Sequence, residues 1–430
     1  MNTKLFALKG NILYSKSPKE LECIVHGYLI CEDGKVEGVY EELPPKYIDI
    51  HCTDYKDSLI IPGLIDLHTH ASQYAIRSLG MDMELLKWLE HNTFPEEAKY
   101  ADVEYAKKAY SMFVEDLKKS ATTRACIFGT IHVEGTLTLM DLLEESGLKC
   151  MVGKVNMNRN CPPVLCEESE QSLLDTKRWL DATRNKYQNI TPIITPRFLP
   201  SCTEDLLTEL SVICREEKLP LQSHLSENLL EVEFVKELFP STAGYADAYN
   251  EYGLFGGTVP TIMAHCIYLT KEEIELVAEN EVYIAHCPDS NMNLSSGIAP
   301  VRTYLNRGLK MGLGSDVAAG DSLSIFKAMA EAVKVSKLLW RLQDQSLNPL
   351  SLEEAFYLGT KGGGEFFGKV GSFEPGYEFD AVVIDDTSLV HPQPLTLKQR
   401  LERIIYLSDD RNLVSKYVAG KKILSMEDAE

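Results

Sequence analysis

Short apolar runs alternate with longer amphipathic stretches along most of the chain. Between the apolar runs, residues 104–120 and 203–217 are examples of stretches with helical periodicity. Eight runs of the length of one buried strand predict an α/β fold, a (β/α)8 TIM-like barrel, over residues 58–369. The runs are SLIIPGLIDLHTH, TTRACIFGT, KCMVGKVNM, ITPIITPRF, PLQSHLSE, TIMAHCIY, VYIAHCPDS and KMGLGSD.

The two ends of the chain have a different pattern. Residues 1–57 and 370–430 contain short strand-like runs separated by turn signals, such as GYLICEDGKVEGVY, FEPGYEFDAVVID and KYVAGKKIL. Because chain termini often lie close together in a domain, we expect both ends to form one composite β-sandwich domain beside the barrel.

Composition narrows the class of partner. The net charge of −21, from 64 acidic and 43 basic residues, would repel a phosphate backbone and argues against nucleic acid. The 11 cysteines follow no regular framework, which indicates reduced thiols. We find no signal peptide and no apolar run of about 18 residues, so we expect a soluble cytoplasmic protein with no membrane partner.

The first candidate site is His68-Thr69-His70, which closes the first apolar run. Residues two apart on a strand point to the same side, so both imidazoles face the barrel interior and can bind one metal ion. An isolated H-x-H is short enough to be incidental about half the time. Its position on the first of eight strands favours metal ligation.

Further titratable residues lie at other strand ends, where barrels of this type carry their catalytic groups. His224 lies near the end of the fifth run and supplies a third imidazole, and Glu227 is the last residue of that run. Alone, Glu227 would be the acidic start of the next helix. Beside His224 we predict that it is a general acid/base, which takes a proton from a water and delivers it to the substrate.

Asp316 ends the eighth run after the small residues Gly312 and Gly314, which let the backbone approach closely. Standing alone, Asp316 would be a turn or helix-capping aspartate. Together with three neutral imidazoles, its carboxylate forms a donor set that leaves a divalent ion with a net positive charge. Such an ion lowers the pKa of a bound water. His265 ends the sixth run, and we assign it to holding and polarising that water, with direct ligation as the alternative. For His286 a structural hydrogen bond and a substrate contact stay equally open.

The motifs HTH after PGLID, then HLSE, AHC, AHCPDSN and GLGSD resemble the amidohydrolase superfamily over nearly the whole chain. The stretches HTHASQYAIRSLGMDMELLKWLEHNTFPEE, TPRF, HLSEN and HCPDSNMNLSSG narrow the resemblance to the guanine deaminase family. This resemblance implies one zinc ion and a set of site residues. They are the metal ligands His68, His70, His224 and Asp316, the catalytic residues Glu227, His265 and Asp316, and the substrate contacts Gln73, Arg197, Phe198, His224, Glu227 and Asp316.

The chemistry of guanine agrees with these substrate contacts. The fork of Arg197 matches the N7 and O6 acceptors, Phe198 can stack on the purine, and the Gln73 amide offers a donor and an acceptor. Without the resemblance, three structural roles are equally good explanations: a surface ion pair for Arg197, core packing for Phe198 and a loop hydrogen bond for Gln73. The expected reaction is hydrolysis of guanine to xanthine and ammonia, with Glu227 passing a proton from the attacking water to ring N3.

One metal ion is expected because the fourth run ends in Arg197, where binuclear relatives carry a carboxylated lysine; Lys154 in the third run is the exception considered. Imidazole and carboxylate ligands suit zinc and also iron. Related enzymes are commonly homodimers, and we expect the same here.

Three alternatives remain at this point. A different class of zinc deaminase has an H-x-E motif followed by P-C-x-x-C, but here four residues separate Cys161 from Cys166 after His132-Val133-Glu134. Another aminohydrolase or a chlorohydrolase, acting on 8-oxoguanine, adenosine-type or triazine substrates, would share every metal ligand. A non-catalytic assembly barrel should have lost those ligands.

Overall fold

The computed structural model describes residues 5–425, so residues 1–4 and 426–430 of the predicted terminal segments lie outside the described residues. Within that range the strands are β1 (Leu5–Ser17), β2 (Glu20–Glu32), β3 (Lys35–Tyr40), β4 (His51–Pro62), β5 (Leu64–His70), β6 (Thr122–Phe128), β7 (Lys149–Gly153), β8 (Val155–Asn156), β9 (Ile190–Pro192), β10 (Thr195–Pro196), β11 (Leu221–Leu225), β12 (Thr261–His265), β13 (Tyr283–His286), β14 (Met311–Leu313), β15 (Ala381–Ile384), β16 (Leu413–Val418) and β17 (Lys421–Ser425). The α-helices are α1 (Leu85–Trp88), α2 (Phe94–Glu97), α3 (Val103–Lys119), α4 (Val133–Ser146), α5 (Ser169–Thr183), α6 (Glu204–Glu217), α7 (Leu229–Leu238), α8 (Tyr245–Glu251), α9 (Lys271–Glu279), α10 (Pro288–Asn293), α11 (Val301–Asn306), α12 (Ile325–Leu342), α13 (Leu352–Tyr357) and α14 (Leu397–Leu407).

Each of the eight predicted runs contains a strand, which confirms their positions. The third and fourth runs are each interrupted, as β7 and β8 and as β9 and β10. In the fourth run Pro192 and Pro196 end the two short strands. Between them the backbone changes partner, since Ile193 N donates to Val152 O at 3.0 Å and Ile194 N donates to Pro220 O.

The strands between the helices form parallel sheets. One has the order β5-β6-β7-β9, a second has the order β11-β12-β13-β14, and β8 pairs with β10. Backbone hydrogen bonds also link the two larger sheets: Ile194 N donates to Pro220 O at 2.9 Å, and Asp316 N donates to His68 O at 2.8 Å. The chain is therefore an α/β protein with parallel sheets.

The two ends of the described chain meet in one seven-stranded sheet of order β17-β16-β15-β4-β1-β2-β3. The C-terminal strand β15 runs antiparallel to the N-terminal strand β4, which leads through Gly63 directly into β5. At Gly63 only glycine fits, since a Cβ there would lie 2.2 Å from Thr123 Oγ1. The sheet is thus tied to the first strand that carries candidate site residues.

An ion-pair cluster holds this sheet against the parallel strands. Arg124 on β6 donates from Nε to Asp380 at 2.6 Å and from Nη2 to Glu378 at 2.6 Å, and Lys149 on β7 contacts Glu378 at 2.9 Å. Arg124 and Asp380 are almost completely buried. A buried charge is tolerated only when it is paired, so these contacts must form together when the two parts pack.

The two helices predicted over residues 104–120 and 203–217 are confirmed as α3 and α6. Asp102 caps α3 by accepting from the backbone N–H of Glu104 and Tyr105. None of the helices in residues 5–425 combines the length and apolarity needed to cross a bilayer. On the packed face of α3 the buried residues are Ala106, Ala109, Tyr110, Phe113, Val114 and Leu117.

Candidate functional site

Side chains from three strand ends and the segment after β14 converge on one buried point. His68 Nε2 lies 3.1 Å and His70 Nε2 lies 3.4 Å from Asp316 Oδ1. His224 on β11 joins them, with its Nε2 3.2 Å from His70 Nε2. Ligand atoms of His68, His224 and His265 lie within 4.8 Å of one another. The structure therefore brings together all four residues predicted as metal ligands.

Close backbone approach makes this convergence feasible. A Cβ on Gly314 would lie 2.8 Å from Cys287 Sγ and 2.9 Å from His68 Cβ, so this strand end needs glycine. The backbones of His265 and Asp316 have φ values of 70° and 46°, in the left-handed region that costs a non-glycine residue about 1 kcal/mol or more. Such strain at the strand ends is typical of functional sites.

Hydrogen bonds on the far side of two rings determine which nitrogen faces the cluster. His224 Nδ1 lies 2.6 Å from Arg197 O, and a carbonyl only accepts, so Nδ1 carries the proton and Nε2 offers a lone pair. His265 Nδ1 likewise lies 2.8 Å from Asn291 Oδ1. Within the described residues, His68 Nε2 and His265 Nε2 make no hydrogen bond although both are buried. Inward lone pairs beside an ionised carboxylate are a donor set that fits a divalent cation.

The charge states of the cluster agree with that fit. Burial, reinforced by the neighbouring imidazoles, holds the pKa of His70 and of His224 well below the ordinary value. Burial alone would raise the pKa of Asp316, but the adjacent imidazoles of His68, His265 and His70 together outweigh it and keep the pKa well below its usual range. Neutral imidazoles and an ionised carboxylate are the forms that bind metals.

Glu227 and His265 form a second pair at the edge of the cluster. His265 Nε2 lies 3.4 Å from Glu227 Oε2 and 3.7 Å from Asp316 Oδ2, while Ser296 Oγ donates to Glu227 Oε1 at 3.2 Å. Burial raises the pKa of Glu227 to about 7, against the opposing effect of His265. Burial would lower the pKa of His265, but the carboxylates of Glu227 and Asp316 outweigh it and raise the pKa. Such a pair can exchange a proton near neutral pH.

A pocket with about 400 Å³ of empty space, part of it open to solvent, adjoins the cluster. Phe198 presents its ring there, with its centroid 6.5 Å from that of His224. Gln73 and Arg197 are buried and hydrogen bonded to the same carboxylate, Glu97. The residues lining the pocket are His70, Gln73, Leu85, Trp88, Leu89, Arg197, Phe198, His224, Glu227, His265, Leu294, Asp316 and Ala319.

Sequence reasoning missed Glu97, Asn291 and Cys287. Glu97 and Asn291 end two stretches that carry the resemblance, HTHASQYAIRSLGMDMELLKWLEHNTFPEE and AHCPDSN. Their partners Arg197 and His265 are far from them in the chain, so the motifs did not reveal their contacts. Cys287 Sγ lies within 4.8 Å of ligand atoms of His68 and Asp316. Burial raises the pKa of this thiol well above its ordinary value and favours its neutral form.

Other candidates from the sequence lie away from the pocket. His286 is buried, burial lowers its pKa to about 3, and neither ring nitrogen has a hydrogen-bond partner in residues 5–425, so the structural hydrogen bond weighed for it is not seen. His286 is also not among the residues that line the pocket. Lys154 Nζ is paired with Glu167 at 2.8 Å. Among the described residues, no cluster of potential metal ligands joins His132 to Cys161 and Cys166.

Comparisons with known proteins agree with one another. The model of the family described as "Amidohydrolase family" matches residues 59–423. The guanine deaminase of Dictyostelium discoideum is 38% identical to this chain, over 98% of each sequence.

Solved structures give the same result. The guanine deaminase from C. acetobutylicum with guanine bound in its active site superposes with a TM-score of 0.96 at 48% identity, and covers 98% of this chain and 100% of its own. An adenosine deaminase from Xanthomonas campestris with bound zinc has a TM-score of 0.83, and covers 98% of this chain and 93% of its own. At 19% sequence identity, this similarity concerns the fold alone.

Proposed function

The chain belongs to the amidohydrolase family and, within it, to the guanine deaminases, and from this premise we propose that it hydrolyses guanine to xanthine and ammonia. It is a hydrolase acting on C–N bonds. Because its proposed substrate is a purine base, the reaction belongs to purine catabolism or salvage. The observation that carries the proposal is the convergence of His68, His70, His224 and Asp316 beside a pocket lined by Arg197.

We assign one divalent ion, zinc, to His68, His70, His224 and Asp316, with iron as the other metal that this donor set suits. Three neutral imidazoles and one carboxylate leave the ion net positive. When bound, it supplies a water whose pKa is close to neutral. Lys154 is paired with Glu167 and does not line the pocket, which supports a single ion.

Glu227, His265 and Asp316 carry the proton transfers. Glu227 accepts a proton from the water that attacks C2 of guanine and delivers it to ring N3. His265 and Asp316 hold the attacking oxygen and pass its second proton to the departing amine. The C2–O bond forms, the C2–N bond breaks, and ammonia leaves. The buried contact between Glu227 and His265 at 3.4 Å supports this division of roles.

The pocket residues recognise the base. Arg197 donates to the O6 and N7 acceptors, Phe198 stacks on the purine face, and Gln73 pairs with the remaining polar edge. His224, Glu227 and Asp316 also line the pocket, which supports their assignment as further contacts of the base. Bound guanine in the C. acetobutylicum enzyme supports the choice of substrate.

The finer architecture belongs to the same proposal. We propose a closed (β/α)8 barrel for residues 58–369, and the backbone hydrogen bonds between the two larger sheets support it. Residues 1–57 and 370–430 form a composite β-sandwich domain, for which the seven-stranded sheet is the support. Free thiols at every described cysteine support a cytoplasmic location. The assembly is a homodimer, and the net charge of −21 disfavours nucleic acid as a partner.

A substrate panel on protein of known metal content tests the function. Guanine, 8-oxoguanine, adenosine, cytosine and a chlorinated triazine are compared by ammonia or chloride release, and the guanine product is identified by mass. We expect xanthine and the highest kcat/KM with guanine. A higher kcat/KM with another heterocycle would make that compound the substrate in place of guanine. Full metal loading without hydrolysis of any compound would favour a non-catalytic barrel.

A further inference from the structure

One buried carboxylate contacts both polar side chains assigned to the base. Glu97 Oε1 accepts from Gln73 Nε2 at 3.0 Å, and Glu97 Oε2 accepts from Arg197 Nη1 at 2.6 Å. Glu97 is only 4% exposed and is not among the residues that line the pocket. It therefore acts on a ligand through Gln73 and Arg197 and not by direct contact.

The carboxylate fixes the orientation of the Gln73 amide. An ionised carboxylate only accepts hydrogen bonds, so the NH2 of Gln73 must face Glu97. Gln73 Oε1 accordingly faces the opposite way, 3.5 Å from the backbone N of Ala318. This contact is long, so the oxygen keeps most of its accepting capacity for a donor N–H in the pocket.

The same carboxylate orients the guanidinium. Arg197 is 3% exposed, and within residues 5–425 its side chain makes no hydrogen bond other than the one to Glu97. Phe94 supports the group from one side, with the guanidinium carbon 5.4 Å from the ring centroid. The charge is balanced by Glu97, and the remaining N–H donors are free for acceptors on a ligand.

Glu97 also connects two distant parts of the chain. It is the last residue of α2, in a helical segment whose residues Leu85, Trp88 and Leu89 form one wall of the pocket. Arg197 directly follows β10 on the opposite side, a hundred residues later. The carboxylate thus holds the wall and the base-reading side chains in one arrangement.

We propose that Glu97 is the positioning residue that sets the hydrogen-bond polarity of the pocket, with donors from Arg197 and an acceptor from Gln73. This inference rests on the proposed function. A 6-oxopurine such as guanine presents acceptors to the arginine, whereas a 6-amino analogue presents a donor there and is rejected. Discrimination between these two purine classes is therefore controlled from a residue that contacts neither.

Steady-state kinetics of two variants tests the proposal. Glu97→Gln keeps the side-chain volume but leaves one oxygen, which stays with the Arg197 guanidinium, and places an NH2 group against the NH2 of Gln73. The Gln73 amide then rotates by half a turn and presents its NH2 to the base in place of its oxygen. We expect the KM for guanine to rise about 10- to 100-fold with a smaller change in kcat and unchanged metal content. The kcat/KM ratio of guanine over 2,6-diaminopurine should fall. Glu97→Asp keeps the charge but withdraws the contact, and should raise KM in the same direction.

An exchange variant separates positioning from a structural role. Combining Glu97→Gln with Gln73→Glu reverses the donor and acceptor between the two positions and again leaves an oxygen facing the pocket. We expect part of the lost guanine affinity to return, a result that a purely structural carboxylate would not give. Glu96→Gln is the matched control, since Glu96 is an adjacent buried carboxylate whose partners are Lys99 and Tyr105.

The outcomes that overturn the inference are distinct from those that overturn the function. Absence of guanine turnover in the wild-type protein overturns the proposed function. Wild-type turnover with unchanged KM and purine selectivity in both Glu97 variants overturns this inference alone. An equal loss in Glu96→Gln, or failure of both Glu97 variants to fold, would assign the carboxylate to stability and also overturn it.

Discussion

Glu227 is the single side chain on which the proposed proton transfers most depend. It is buried beside His265 but is not one of the four assigned metal ligands, so its removal separates catalysis from metal binding. We expect Glu227→Gln to keep its metal and to lose about 100- to 10,000-fold in kcat, the usual contribution of a general acid/base. Metal analysis and guanine kinetics on the same preparation check this.

The matched control for this change is Glu233→Gln, an exposed carboxylate on the helix that follows. It should leave kcat and KM unchanged. Wild-type turnover by the Glu227 variant would remove the assignment of the general acid/base, whatever the metal content.

The pKa of Glu227 predicts an acid limb in the pH profile. The residue works as a base and must be ionised, and burial raises its pKa to about 7. Activity is therefore full above that pKa and is lost as the pH falls through it. A bound cation stabilises the carboxylate, so the limb in kcat/KM should lie between about pH 5 and about pH 7. A profile that is flat from pH 5 to 8 would contradict the assignment.

Most candidate residues could be predicted because they lie at strand ends. His68, His70, His224, His265 and Asp316 each close an apolar run, and parallel strands bring their carboxyl ends to one edge. Glu97 and Asn291 could not be predicted this way. They lie on short helical segments, and their role depends on partners that only the folded chain brings near.

The contact between β6 and the seven-stranded sheet depends on Arg124. Its removal leaves Asp380 buried without its main partner, which costs about 3–5 kcal/mol when one member of a buried pair is lost. We expect Arg124→Ala to lower the free energy of unfolding by about that amount in denaturant melts. Asp380 keeps one hydrogen bond, from the backbone N of Ala419, so the lower end of the range applies.

A surface pair offers the control. Arg178 and Glu134 lie 2.7 Å apart but are 57% and 62% exposed, so solvent screens their attraction. Arg178→Ala should change stability by less than about 1 kcal/mol. Equal effects of the two arginine substitutions would show that burial does not determine the strength of the Arg124 contacts.

The positions of strands and long helices followed from periodicity, whereas their breaks did not. The apolar pattern of ITPIITPRF continues across the gap between β9 and β10, where the backbone hydrogen bonds change partner from Val152 to Pro220. The segment of residues 85–97 consists of short helical turns, and Leu85, Trp88 and Leu89 in it line the pocket. Packing against Arg197 and Gln73 through Glu97 supports that helix, and this packing has no local signature in the sequence.

Across the whole molecule, metal binding should be linked to stability. The assigned ligands come from β5, β11 and the segment after β14, so an ion bound there joins parts of the chain that are far apart in sequence. An ion at a concentration 100 times its dissociation constant adds about 2.7 kcal/mol. We expect chelation to lower Tm and abolish guanine turnover, and zinc to restore both.

A ligand variant is the control for this linkage. His224→Asn should already have the lower Tm, and chelator should not lower it further. A Tm that responds to chelator equally in the variant and the wild type would place the stabilising ion elsewhere.

Anomalous X-ray diffraction at the zinc edge, on crystals of the zinc-loaded protein, tests most directly whether four distant side chains share one ion. We predict one strong peak per chain, about 2.0–2.2 Å from nitrogens of His68, His70 and His224 and from an oxygen of Asp316. A peak bound by other residues, or two peaks of equal height in the same cluster, would contradict the assignment of a single ion to these ligands.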